Sequence, residues 1–275
     1  MQRYLTRDTA CIRACRQPAL ALAFAKEREL SIAHLLSNTG LQEAAFYDDS
    51  LYISPSQFLT LLHNLQSIAN DAELPFILGP QWLPGHFGLV SHILMLAANL
   101  RQALELMVRW PLQLCPLLTP RLKVDAQGAT FDWIDAWGAP AQRAFLINMH
   151  MSAIAAMTRW LSGDHLPWQF HFNHTQPRDI AAHAEYLGSA PQFGVLRDCL
   201  HIPAQWLDKP WPRGNAAAVA LTLPQAIAQE SKFDHLHSLL SMLFTYLLKH
   251  LQDSPSLDNC AQWLGISPAT LKRHL

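Results

Sequence analysis

The residues whose types and spacing best suit chemistry close the chain, in PSLDNCAQWLGISPATLKRHL (Pro255–Leu275). Hydroxyl and basic side chains clustered on one short helix can donate hydrogen bonds to phosphates and to guanine edges. Here they are Ser267, Thr270, Lys272, Arg273 and His274, with Ala269 between them. Their setting supports that use. Leu257, Ala261 and Leu264 recur at i, i+4 and i+7 on one helical face, and Gly265 can turn the chain after the helix. Ser267-Pro268 then supplies an N-cap and first helical residue, with Leu271 and Leu275 on the inner face of the second helix. Two short helices around a glycine turn, basic on the outside, meet the requirements of a helix-turn-helix. A plain helical hairpin fits the same spacing.

Other candidate groups do not assemble by spacing. Among 14 histidines, His171 and His174 are three apart on an expected strand, which sends them to opposite faces. His235 and His237 are two apart on an expected helix and diverge. HExxH and CxxC are absent, so no metal and no cofactor is expected. His86, before Phe87-Gly88 at an expected helix start, is either a ligand-facing residue favouring anions or an exposed turn residue. Cys11, Cys15, Cys115, Cys199 and Cys260 read as reduced cytoplasmic thiols. Cys11 and Cys15 at i, i+4 of a helix would be a thiol switch or two small apolar residues. GxSxG, a P-loop and a dinucleotide fingerprint are absent, and Asp48-Asp49 has no identifiable partner. An enzyme is not expected. Phe87, Trp110, Phe145, Met149, Met151, Trp168, Phe170 and Phe172 would line a pocket for a small molecule with an apolar body, or form ordinary core.

The elements that must position these groups are those of a well-buried chain. Half of the 275 residues are hydrophobic and 15% are charged, with a formal net charge of −1. That balance excludes a disordered chain and gives no global electrostatic footprint for nucleic acid. No apolar run reaches membrane-spanning length and no signal-peptide core follows the N-terminal arginines, so a soluble protein is expected. Helices are expected over 18–39, from Ser54-Pro55 to about Asp71, from Gly88 to Ala98, and over 100–110 behind an Asn99 cap, with Gly79 and Pro84-Gly85 breaking the chain. A hairpin follows over 120–134, turning at Asp125-Ala126-Gln127-Gly128. A long helix (140–161), a strand (168–174), a helix (177–187) and strands at 192–193 and 199–202 give the order β-β-α-β-α-β-β. The fold class is therefore α+β: a helix-rich N-terminal part, then a small antiparallel sheet with helices on one side. Helices 216–229 and 233–251 come next. Leu236, Leu239, Leu240, Leu243, Leu247 and Leu251 form a stripe on the second, wide enough to pack on the domain and on a second copy; packing within one chain fits it equally.

The C-terminal stretch resembles the first helix-turn-helix of the AraC/XylS transcription regulators, in Leu257, Ala261, Leu264-Gly265, Ile266, Ser267, Leu271, Arg273 and Leu275. Upstream, PGHFGLVSHIL (Pro84–Leu94), LRQALELMVRW (Leu100–Trp110), HFNHTQP (His171–Pro177) and FGVLRDCLHIPAQWLDKPWP (Phe193–Pro212) are similar to the arabinose-binding-like effector domain of one branch of that family. The resemblance implies an effector-binding domain at 1–210, a helical linker and candidate dimerisation element at 211–252, and a first helix-turn-helix cut short at 253–275. It also implies DNA as partner of the full-length protein (weak or none for this length of chain), an unidentified small-molecule effector, and a homodimer with no membrane. The family's arginine at the Arg273 position often serves packing within its own domain. A stand-alone small-molecule-binding or interaction protein is the alternative.

Overall fold

The computed structural model describes residues 4–85, 87–188 and 190–275; the expectation for His86 lies outside them. Strand β1 (Ile12–Arg13) pairs antiparallel with β2 (Tyr52–Ile53), and α1 (Gln17–Glu27) and α2 (Ile32–Leu35) lie between them in sequence. Cys11 therefore extends into a strand, so Cys11 and Cys15 do not share a helical face. Helix α3 (Pro55–Ala69) starts at a full capping box: Ser54 accepts from the Gln57 N–H and Gln57 reaches back to the Ser54 N–H. Then come α4 (Leu74–Trp82), α5 (Leu89–Met95), α6 (Leu100–Arg109) and α7 (Pro111–Leu114). Asn99 caps α6 by accepting from the Gln102 N–H at 2.9 Å.

Gly79 does not break the chain; it lies inside α4. A Cβ there would stand 2.6 Å from the Met149 carbonyl oxygen and 2.7 Å from Ser152 Cβ, so glycine is required for α4 to approach the next long helix. Helix α5 ends before Ala98 because the carbonyls beyond it are used otherwise. Leu96 and Ala98 accept from the Asn215 and Trp211 N–H groups at 2.9 and 2.8 Å. The turn-rich segment 209–215 is thereby stitched to the body.

The hairpin forms in the expected place from β3 (Leu118–Val124) and β4 (Gly128–Asp135), with Asp125 accepting from the Gln127 and Gly128 N–H groups in the turn. Helix α8 (Arg143–Ser162) follows, then β5 (Gln169–Phe172), α9 (Ala181–Leu187), β6 (Gln192–Phe193) and β7 (Cys199–Pro203). The five strands order as β3-β4-β7-β5-β6. All pairings are antiparallel except β5 with β6, which run parallel across α9. The α+β layering is as expected. Phe131 and Trp133 of β4 point to the core face, where Trp133 meets His150 of α8.

Helix α10 (Ala216–Ala228) joins the same core through Val219 and Ala226. The next helix, α11 (Leu239–Lys249), starts at Leu239 and not at Phe233. Ser238 caps it by accepting from the Ser241 N–H, while Asp234 folds back onto the Ser231 N–H at 2.7 Å. The N-terminal segment clamps this start: Leu5 donates to the His237 carbonyl and accepts from the Leu239 N–H, both at 2.9 Å. Helices α12 (Leu257–Leu264) and α13 (Pro268–His274) complete the chain. Among the described residues, no helix is long and apolar enough to cross a membrane.

Candidate functional site

The C-terminal hairpin is built from local signals. Ser256 and Asn259 form a capping box at the start of α12. Gly265, at φ +69°, ends α12 in the left-handed conformation that glycine adopts without strain, and the Ile266 N–H closes back on the Ala261 carbonyl at 3.0 Å. Ser267 then caps α13 by accepting from the Thr270 N–H at 3.0 Å. Ala261 and Leu271 are fully buried in one apolar cluster with Cys260 and Leu264. Ser267, Ala269, Lys272, Arg273 and His274 are exposed and Thr270 is half-buried. The hairpin does not leave all of them equally free. Arg273 and His274 border a cleft of about 220 Å³ against Arg7, Asp8 and Gly138, and the His274 ring lies 6.5 Å from that of Tyr4.

Helix α11 touches both parts of the molecule. Leu239 and Leu243, with Met242 and Tyr246, join the cluster that holds α12 and α13, and Tyr246 stacks on Trp263. Its other flank crosses the second face of β3–β4: Ser241 bonds Thr119 at 2.8 Å, and the Arg121 guanidinium lies 4.5 Å from the Phe244 ring centre. Leu248 and Leu251, 53% and 66% exposed, continue the apolar stripe beyond the sheet.

Two clefts could admit a small molecule. One of about 550 Å³ lies between α4, α5 and α8 and is walled by Pro80, Leu83, Met95, Met157 and Trp160. The other, of about 510 Å³, lies between α11 and the outer face of β3–β4, where Arg121, Arg143 and Arg197 meet Asp132 and Asp198. Arg121 grips Asp132 through Nε and Nη2 at 2.7 and 2.6 Å; Arg143 grips Asp198 at 2.8 and 2.7 Å. Both carboxylates are buried. Paired charges are the form in which burial is tolerable. Sequence reasoning missed this cluster, although the hairpin turn fixes the register that sets Arg121 opposite Asp132.

The aromatic and methionine residues expected as a pocket wall are core. Phe87, Trp110, Phe145, Met149, Met151, Trp168, Phe170 and Phe172 are all buried. His171 and His174 do not share a strand as expected, because β5 ends at Phe172; His171 faces Cys199, while His174, beyond the strand, sits against Phe172 and Phe193. His235 lies 3.4 Å from Glu230. All five cysteines are free thiols, and burial pushes Cys11 up to about 12. Among the described residues no three His, Cys, Asp or Glu side chains gather as a metal set.

Comparison with known proteins bears on the body of the chain. Ornithine utilization regulator of Pseudomonas aeruginosa is 24% identical over 219 residues, which cover 79% of this chain and 65% of that protein. The chain thus spans just under two thirds of that relative's length. The crystal structure of the transcriptional regulator CdpR from Pseudomonas aeruginosa aligns with a TM-score of 0.49 at 21% identity, covering 78% of this chain and 70% of that one. Residues 29–211, well over half of the chain, match the family described as the arabinose-binding domain of AraC transcription regulators, N-terminal. By that match the chain belongs to the AraC-type transcription regulators that carry this N-terminal domain.

Proposed function

We propose that this chain is the effector-sensing and self-associating part of a DNA-binding transcription regulator, acting in the cytoplasm and without catalysis. Residues 1–210 form the effector domain, 211–252 the helical linker and dimerisation element, and 253–275 the first helix-turn-helix of the DNA-binding part. The observation that carries this reading is the position of α11. One flank packs on the effector sheet and the other on the hairpin. Any ligand that favours one placement of α11 on the sheet then biases where the hairpin points, by its differential affinity for the two placements. Leu248 and Leu251 are the self-association surface, an apolar strip left open at the end of that helix.

Of the DNA-facing set, Ser267, Ala269, Thr270 and Lys272 occupy the start and outer face of α13, the part of a recognition helix that enters a major groove. Arg273 and His274 sit beside the N-terminal segment and serve that contact before they serve DNA. A salt titration of DNA binding by the complete protein tests the reading. Lys272→Ala should weaken binding uniformly across sequences and reduce the salt slope by about 1, as expected for one lost phosphate contact. If the complete protein binds no DNA at low salt, the regulatory reading fails.

A further inference from the structure

We infer that the cleft between α11 and the outer face of β3–β4 binds a small organic anion, a carboxylate on an apolar body. Its role as the effector site rests on the regulatory reading above; the binding itself does not.

The floor of the cleft is rich in donors and short of free acceptors. Asp132 takes two short bonds from Arg121 and a longer one, 3.3 Å, from Arg197. Asp198 takes Arg143 and the Asn173 N–H at 2.8 Å. Asp135, the third carboxylate at the cleft, accepts from the Trp137, Gly138 and Ala139 N–H groups. Formal charges therefore cancel, but the two kinds of group are not equally spent. Each guanidinium carries five N–H donors and no acceptor. Arg197 spends one of its five on that long bond and keeps its side chain 59% exposed. A ligand group that only accepts hydrogen bonds satisfies such a floor, and a carboxylate matches the guanidinium fork. An ammonium finds guanidinium groups and committed carboxylates, so a cationic or zwitterionic ligand is disfavoured.

The roof is apolar. Phe244 and Leu247 hang over the floor, each 37% exposed, on the helix that also carries the hairpin cluster. A volume of about 510 Å³ suits a small ligand. An apolar body beneath Phe244 and Leu247 would cover what the protein itself leaves open, while its head meets Arg197. The ligand would then touch sheet and helix at once. Among the described residues, the cleft between α4, α5 and α8 has no charged side chain in its walls to receive such a head group.

Isothermal titration of this chain with phenylbutyrate and with its neutral amide tests the inference. Phenylbutyrate should bind about tenfold more tightly than the amide, one charge-assisted interaction's worth. Arg197→Ala, at a half-exposed side chain, should erase that difference with the fold intact by circular dichroism. Phe244→Ala should weaken acid and amide alike. Equal binding of acid and amide would overturn the inference, as would undiminished binding by Arg197→Ala or loss of binding on Trp160→Ala in the other cleft. So would a ligand-free dimer that buries Phe244 and excludes both probes. In the complete protein, Arg197-dependent binding that leaves DNA affinity unchanged would remove the effector role. Absence of DNA binding altogether would sink the regulatory reading and leave the calorimetry standing.

Discussion

At the scale of single residues, two glycines show how the same letter serves different ends. Gly163 ends α8 at φ +76° with no atom within 4 Å of where its Cβ would lie, so its need for glycine is conformational and local. Gly79 has ordinary helical geometry, and its need comes from α8 pressing on it. Gly79→Ala should therefore destabilise by about 1–3 kcal/mol through overpacking of the α4–α8 contact. Equilibrium urea denaturation would read this as a lower midpoint at unchanged slope; an unchanged midpoint would mean that the helices can part cheaply. Sequence alone separates the two glycines poorly, which is why Gly79 reads as a break. The same limit applies to the candidate ligand site. Arg121 and Asp132 could have been paired from the hairpin register, but Arg143 with Asp198 and Arg197 with Asp132 join residues 55 and 65 apart in the chain, across different elements. By contrast Ser267, Thr270 and Lys272 carry their own context, because caps and turn residues act within a few positions of themselves.

Among the elements, four helices behind side-chain caps stand close to where the sequence puts them: α3 behind Ser54, α6 behind Asn99, α12 behind Ser256 and α13 behind Ser267. Elements whose limits depend on distant partners shift. Helix α11 begins six residues later than the expected start at Phe233, since Leu5 takes the backbone groups on both sides of Ser238. The parallel pairing of β5 with β6 is likewise invisible to alternation, which reports a buried face and no strand direction. Helix α11 joins the hairpin cluster on one flank and bonds the sheet through Ser241 and Thr119 on the other, and Leu243 borders both the cleft and the hairpin cluster. Leu243→Ala removes contacts from a small cluster and few from the large core. The expected outcome is faster hydrogen exchange throughout α12 and α13 with exchange in α8 and β4 unchanged, because the hairpin opens as a local unit. Uniform acceleration across the molecule would show instead that the two clusters unfold as one.

For the whole molecule, pH-dependent stability comes from the groups whose pKa differs between the folded and unfolded chains. His150 is the clearest of these. It is fully buried in α8, its Nδ1–H donates to the Leu146 carbonyl at 2.7 Å, and its Nε2 has no partner. Burial pushes its pKa down from 6.5 to about 4. His183, enclosed by Phe76, Phe172 and Phe193 with neither ring nitrogen bonded, is likewise pushed down to about 4, first by burial and then by His174. In both cases the unfolded chain binds the proton first as pH falls. The stabilisation is complete above about pH 6.5 and is lost as pH drops from there through about 4. For His150 alone the loss over that window is about 3 kcal/mol, a sizeable share of the about 5–15 kcal/mol by which a domain is stable. Urea midpoints measured between pH 7 and 4 should fall steeply in the native chain and less steeply in His150→Leu, so that the variant gains on the native chain toward the acid end. Parallel curves would mean that water reaches Nε2 and that His150 titrates as it does unfolded.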